Sequence, residues 1–434
     1  MTVSQRGLAT LLASHLPFFY GWLILACVCC AGFARQGPAV ATLSIFVEPM
    51  TSEFGWSRTA LSGAVSLGGV LAALASPLIG PVLDRQGARL MLCAAVLVTS
   101  IATMLLSFTQ SLLAFYVFFC IARLNFASTF DIGIYGALNS WFVARRAFAT
   151  SIANLAQMGG LVALPLIAHA AIEREGWRAG WLAVGLAVLV VGFVPNWLFM
   201  VRRPEDVGLL PDRRMLVPTS SDLDGKQVAT PEPAFTRGEA LRTPAFWLLS
   251  LFTVAVYPVQ AGVSLHQAPH LIERGLSPGV AATVVSSFSL ASAVAGLALG
   301  LLARRLGIRA SLALSALLLG ASAVLMLGIA TPQQGYLAAC LFGAGIGAMH
   351  TALPLAWADY FGRQSFGAIR GVALTVQVTA QASGPLLSGV LRDLTGDYTA
   401  SLVCFAGLSF LGALLALLAR APSPWRGEER RAMS

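Results

Sequence analysis

Twelve long apolar runs, each close to the length that crosses a bilayer, narrow the possible folds of this chain more than any other feature. About 20 apolar residues in a helix span a hydrocarbon core of roughly 30 Å. A window of that size selects 18–46, 58–80, 88–108, 111–139, 147–170, 178–201, 244–270, 278–302, 309–329, 334–360, 367–391 and 397–419. In lipid, backbone N–H and C=O groups must be satisfied without water, so runs of this length become helices. The expected fold class is an all-α membrane protein. Composition agrees, because 57% hydrophobic and 11% charged residues do not suit a soluble globular chain of 434 residues. The first run is too long for a cleaved signal and no small-residue cleavage site follows it, so it is expected to remain as helix 1.

The ten residues GPVLDRQGAR at 80–89 return 220 positions later as GLLARRLGIR, matching Gly80, Arg85, Gly87 and Arg89 to Gly300, Arg305, Gly307 and Arg309. Upstream in the same register, Pro49, Glu53, Gly55 and Ser57 match Pro269, Glu273, Gly275 and Ser277. Turn residues matched at one offset across two loops and the helix between them imply a duplicated unit. The twelve helices therefore divide into two six-helix pseudo-repeats. The expected domains are an N-terminal bundle at 1–201, a cytoplasmic linker at 202–243 and a C-terminal bundle with a short tail at 244–434. The linker carries Pro204, Pro211, Pro218, Pro231 and Pro233 and little apolar periodicity. A short amphipathic helix on the membrane surface is expected near 235–247.

Charge sets the orientation. With the N-terminus in the cytoplasm, twenty-one of the 28 basic residues fall in cytoplasmic segments, five on the opposite side, and Arg35 and Arg123 within helices. Arg363 and Arg370, the latter at the inner end of helix 11, are counted with the cytoplasmic residues. Both termini are expected in the cytoplasm, and the Ala- and Arg-rich composition suggests a bacterial inner membrane. The net charge of +9 lies in short blocks between apolar runs, so no nucleic-acid partner is expected. The seven cysteines lie in apolar runs without metal-ligand spacing, and no phosphate loop or activated nucleophile is visible. The expectation is no enzyme activity, no cofactor and no metal.

Two six-helix sets, a polar linker and GPVLDRQGAR after helix 2 resemble the major facilitator superfamily over nearly the whole chain. YGW at 20–22, FVEPMTSEFGWSRTALS at 46–62, SWFVARRAFATSIANLAQMGG at 140–160, DYFGRQSFGAIRGVA at 359–373 and GPLLSGVLRDLTGDY at 384–398 resemble its monocarboxylate-porter and oxalate/formate-exchanger branch. The resemblance implies the major facilitator fold and secondary transport. It also makes Gly80, Asp84, Arg85, Gly87 and Arg89 candidates for a conformational gate. An acid there can meet the positive N-terminal end of a neighbouring helix. In the second copy Arg304 takes the place of that acid, so the contact is expected once. The alternative role of the motif is a plain positive-inside anchor.

Ionisable groups inside membrane helices are costly and so point to function. Arg35 and Gln36 precede Gly37-Pro38, a pair that can loosen helix 1. A guanidinium there suits a carboxylate, with snorkelling or a local pair as the alternative. Arg123 lies mid-helix 4, at a place where the superfamily often carries an arginine tied to substrate or proton coupling. Asp131, eight residues on and about 80° further round an α-helix, is a candidate proton carrier or a structural ion-pair partner. Tyr257, Gln260, His350, Gln377 and Gln381 complete the substrate-binding candidates, with packing as the alternative role of His350. The branch's lactate and oxalate carriers place cations on helices 8 and 11. Here helix 8 has none and helix 11 has glutamines beyond Arg370 at its inner end, so Arg35 or Arg123 is expected to supply any anion-binding charge.

The expected function is alternating-access transport of a small organic anion, with a monocarboxylate as the class implied by the branch, by proton symport or exchange. The expected partners are that substrate, protons and the lipid bilayer. The alternatives are an efflux carrier for amphipathic compounds and a non-transporting membrane sensor on a carrier fold. QMGGLVALPLI in helix 5 lacks the Gly-Pro signature of drug antiporters, and the short linker and tail offer a sensor little output surface.

Overall fold

The structure, a computed structural model, describes residues 16–213 and 233–422. Lys226 with the middle of the linker, and the RGEERRAMS tail, lie outside these residues. Among those described, twelve long helical segments follow one another: α1 Gly21–Phe54, α2 Arg58–Gln86, α3 Ala88–Phe108, α4 Leu112–Trp141, α5 Arg146–Glu175, α6 Trp177–Phe199, α7 Pro244–Glu273, α8 Pro278–Leu306, α9 Ile308–Leu327, α10 Pro332–Phe361, α11 Phe366–Thr395 and α12 Thr399–Leu418. Eleven contain a stretch long and apolar enough to cross a membrane. The twelfth, α11, is as long as the others but carries Thr375, Gln377, Thr379, Gln381 and two serines along a body that packs on α2.

The 220-residue register is carried into three dimensions. α2 and α8, α4 and α10, and α5 and α11 begin and end at positions displaced by 220. The Ser57 side chain accepts the Ala60 N–H at the start of α2, and Ser277 accepts from Val280 at the start of α8. Gly87 and Gly307 sit at φ +83° and +76°, a left-handed conformation that lets α2 turn into α3, and α8 into α9, without an intervening loop. Arg89 donates to the Trp197 carbonyl at 2.6 Å, and Arg309 repeats the tie to the Leu417 carbonyl.

Several helices extend beyond their apolar windows. Helix 1 was expected to end at 46 but continues to Phe54, because Glu48, Ser52 and Glu53 lower hydropathy without breaking backbone hydrogen bonds. The same segment is interrupted between Arg35 and Val40, at Gly37-Pro38. Arg370, expected at the inner end of helix 11, is the fifth residue of α11, with 2% of its side chain exposed. The expected surface helix near 235–247 is a five-residue turn, Arg237–Leu241, closed by a Thr236–Glu239 capping box. Phe235 beside it is buried and packs edge-on against Phe361, so the segment is pinned to the end of α10.

The first six helices meet the last six along two seams, α2 on α11 and α5 on α8. Large apolar side chains point away from the seams. Leu78, Leu113 and Leu394 are 75–77% exposed, a surface that suits hydrocarbon rather than water.

Candidate functional site

Contacts across the seams concentrate toward the face that carries the linker. A Cβ on Gly80 would overlap the Gly367 carbonyl, and one on Gly371 would overlap that of Ser76, so α2 and α11 approach backbone to backbone. Thr375 donates to the Ala73 carbonyl at 2.6 Å. Asp84 accepts the Gly367 and Ala368 N–H groups, both at 2.8 Å, which places a carboxylate on unsatisfied donors at the start of α11. Arg146 pairs with Asp359, and Arg363 pairs with Glu205 at 2.8 Å while donating to Ser140 at 3.4 Å.

Among the five gate candidates, these contacts bring Gly80 and Asp84 to the seam. The Arg85 carbonyl accepts from Arg202, Gly87 forms the turn, and Arg89 ties α3 to α6, all within the first six helices.

Polar side chains converge midway along the helices. The broken α1 ends its first part with Arg35, whose Nε donates to the Phe126 carbonyl at 2.9 Å and whose Nη1 donates to Gln157 at 2.9 Å. Phe126 belongs to a π-helical turn, Asn125–Thr129, inserted into α4. Such a turn widens the helix and rotates it less per residue. Asp131 therefore comes nearer the face of Arg123 than the 80° expected for a continuous α-helix. The two still do not pair. Arg123 lies 4.2 Å over the Phe126 ring and donates to the Pro38 carbonyl at 3.4 Å, and Arg35 lies 4.8 Å from the same ring.

Asp131 is held by arginines from both halves. Arg370 Nε and Nη2 each reach its Oδ1 at 3.1 Å, and Arg35 Nη2 lies 3.7 Å from its Oδ2. Gln157 donates to Asn154, Tyr135 donates to the same Asn154 oxygen at 2.9 Å, and Asn154 crosses to the His350 carbonyl at 3.1 Å. His350 Nε2 lies 3.3 Å from Gln260 Nε2, with the Tyr257 ring 6.4 Å from the imidazole. Gln36 is buried beside Gly160, with its backbone carbonyl accepting from Thr42. Gln377 is buried and Gln381 half-buried further along α11.

Four buried atoms here have no hydrogen-bond partner: Arg370 Nη1, Arg123 Nε, Gln260 Oε1 and Gln377 Oε1. Buried polar groups are rarely left so, and donors paired with acceptors around one centre are arranged to receive a polar ligand.

Sequence reasoning missed Arg370, Asn154, Gln157, Tyr135 and Phe126. Arg370 was recoverable, since Arg370, Gln377 and Gln381 fall within about 40° on one helical face. The expectation that a first-half arginine alone supplies the charge is corrected by Arg370, which brings a second-half guanidinium to Asp131.

A model of the Major Facilitator Superfamily matches residues 24–269 and again residues 264–433. Over 359 residues the chain is 28% identical to the membrane sensor protein UhpC of Salmonella typhimurium, covering 79% of each chain. It is 26% identical over 405 residues to monocarboxylate transporter 11 of Mus musculus, covering 89% of this chain and 84% of that one. The solved structure of the transporter FucP in the outward conformation aligns with a TM-score of 0.68 over 92% of this chain and 99% of FucP, at 12% identity, a likeness of fold.

Proposed function

We propose that this chain, which belongs to the Major Facilitator Superfamily, carries a small organic anion through a site built on Arg35, Arg123 and Arg370. Membership makes it a membrane transporter working by alternating access rather than an enzyme. The observation that carries the anion reading is a carboxylate held by two guanidiniums, Arg35 and Arg370, with a third, Arg123, sharing the Phe126 ring with Arg35, and with Arg370 Nη1 buried and unpartnered. Guanidinium groups stay charged at physiological pH and present paired donors that match a carboxylate.

In this reading Asp131 is the internal stand-in for the substrate. The Asp131–Arg370 pair joins α4 to α11, so it belongs to both halves. An incoming carboxylate on Arg370 loosens that tie where the two halves must separate. The closed seam lies on the linker side, which the distribution of basic residues assigns to the cytoplasm, so the arrangement is outward-facing. Asp84 on the first turn of α11 and Gly80 against Gly367 keep the inner side shut until the site is loaded. Proton symport through Asp131 or exchange of two anions completes the cycle. A bacterial inner membrane is the location we assign.

Counterflow of labelled carboxylates in proteoliposomes tests the reading. Wild type is expected to accumulate label, and Arg35→Ala is expected to lose uptake while retaining abundance and monodispersity. Undiminished flux and affinity in Arg35→Ala would remove Arg35 from the site. Ligand-induced stabilisation without flux would move the chain to the sensor class.

A further inference from the structure

We infer that the substrate is a dianion carrying two carboxylates, rather than a monoanion. This rests on the anion-carrier reading above.

The central charges do not balance. Arg35, Arg123 and Arg370 bring three positive charges to the site, and Asp131 is its one acid among the described residues. Arg35 and Arg370 both reach Asp131, and Arg123 shares the Phe126 ring with Arg35. The formal sum is therefore +2. The Arg146–Asp359 pair on the linker side is neutral in itself and does not offset it. Uncompensated charge away from water is strongly unfavourable. A monoanion would leave one guanidinium uncompensated; a dianion closes the balance.

The donors are also split between two ends. Arg123 and Arg35 share the Phe126 ring, and Arg370 lies on the other side of Asp131. The unpartnered donor atoms, Arg123 Nε and Arg370 Nη1, belong to different ends of this row. A short diacid can place one carboxylate at each. Gln260 Oε1 and Gln377 Oε1, the other two unpartnered atoms named above, are acceptors. They oppose a third carboxylate and suit an O–H or N–H donor on the body of the ligand.

The test compares each diacid with its own monoamide, which keeps size and shape but removes one charge. Malonate and malonamate, and succinate and succinamate, are titrated calorimetrically into the full chain in nanodiscs at pH 8, where the diacids are doubly ionised. The expected result is a diacid bound at least about tenfold tighter than its monoamide, with Arg123→Gln reducing that ratio to about threefold or less while still binding the monoamide. Should Arg123→Gln fail to fold, the wild-type ratio decides alone. Equal affinities for diacid and monoamide, both lost in Arg370→Ala, would overturn the dianion inference and leave the anion site standing. No binding by any carboxylate of the set would overturn both.

Discussion

The two halves share a frame and differ in chemistry. Their helices repeat at 220 residues, and so do the serine caps, the glycine turns and the arginine ties to a helix-end carbonyl. At the same offset Arg35, Arg123 and Asp131 face Ala255, Gly343 and Thr351, while Arg370 faces Thr150. Pro38 matches Pro258, yet α1 is broken at its proline and α7 runs through. The difference has a local cause. Gly37 beside Pro38 adds backbone freedom to a missing N–H, whereas Tyr257 before Pro258 is a bulky residue packed in the core. The frame is thus set by turns, which duplication preserved, and the site by side chains that each half supplies once.

The largest expected effect tests whether the site needs both halves. Removing one partner of a buried ion pair costs about 3–5 kcal/mol. Arg370→Ala is therefore expected to lower the unfolding midpoint markedly and to stop uptake. Arg35→Ala, whose contact with Asp131 is longer, is expected to lower it less. Adding Asp131→Asn to Arg370→Ala is expected to restore much of the stability but not the flux. Equal midpoints for the two single arginine variants would break the proposed division of labour.

A second, smaller asymmetry lies at the seams. The overlap on Gly80 is with backbone, which cannot rotate away, but the closest atoms to Gly300 are those of the Ser151 side chain. Overpacking costs about 1–3 kcal/mol, so Gly80→Ala is expected to reduce disulfide trapping of Ala73→Cys with Thr375→Cys by about tenfold. Gly300→Ala is expected to change trapping by less than Gly80→Ala does, because Ser151 Oγ can rotate away, leaving Ser151 Cβ at 2.7 Å and the Ala147 carbonyl at 3.1 Å to be accommodated. Both measurements need a cysteine-free background, and similar losses would show that the seams are equivalent after all.

The smallest effect should be the same in both halves. Ser57→Ala and Ser277→Ala each remove one helix cap, at a cost of about 1 kcal/mol or less. Thermal unfolding in one detergent is expected to rank them within about 0.5 kcal/mol of each other. A large difference between them would deny that the repeated turns do the same work.

Much of the fold was legible from sequence because lipid leaves few choices for an apolar run of about 20 residues, and because turn residues act locally. Ser57, Gly87 and their copies could be recognised for that reason. The site was legible in part. Arg35, Arg123 and Asp131 were conspicuous as charges within apolar segments, whereas Arg370, at the inner end of helix 11, was counted with the cytoplasmic basic residues. Asn154 and Gln157 carry no charge, so hydropathy gave them no emphasis. The π-turn at Asn125–Thr129 has no composition of its own, and with it went the true rotation between Arg123 and Asp131.

Sequence by itself determined twelve helices, the duplicated frame, the break at Gly37-Pro38 and an acid in the first copy of the turn motif that the second lacks. These follow from hydropathy, backbone stereochemistry and spacing, all of which act over a few residues. Tertiary structure decided that Asp84 sits on the first turn of α11, that α2 and α11 touch through Gly80 and Gly367, and that Asp131 lies between Arg35 and Arg370. Those pairings join residues between 96 and 287 positions apart. No local rule specifies which helix faces which, because that depends on how all the side chains pack at once.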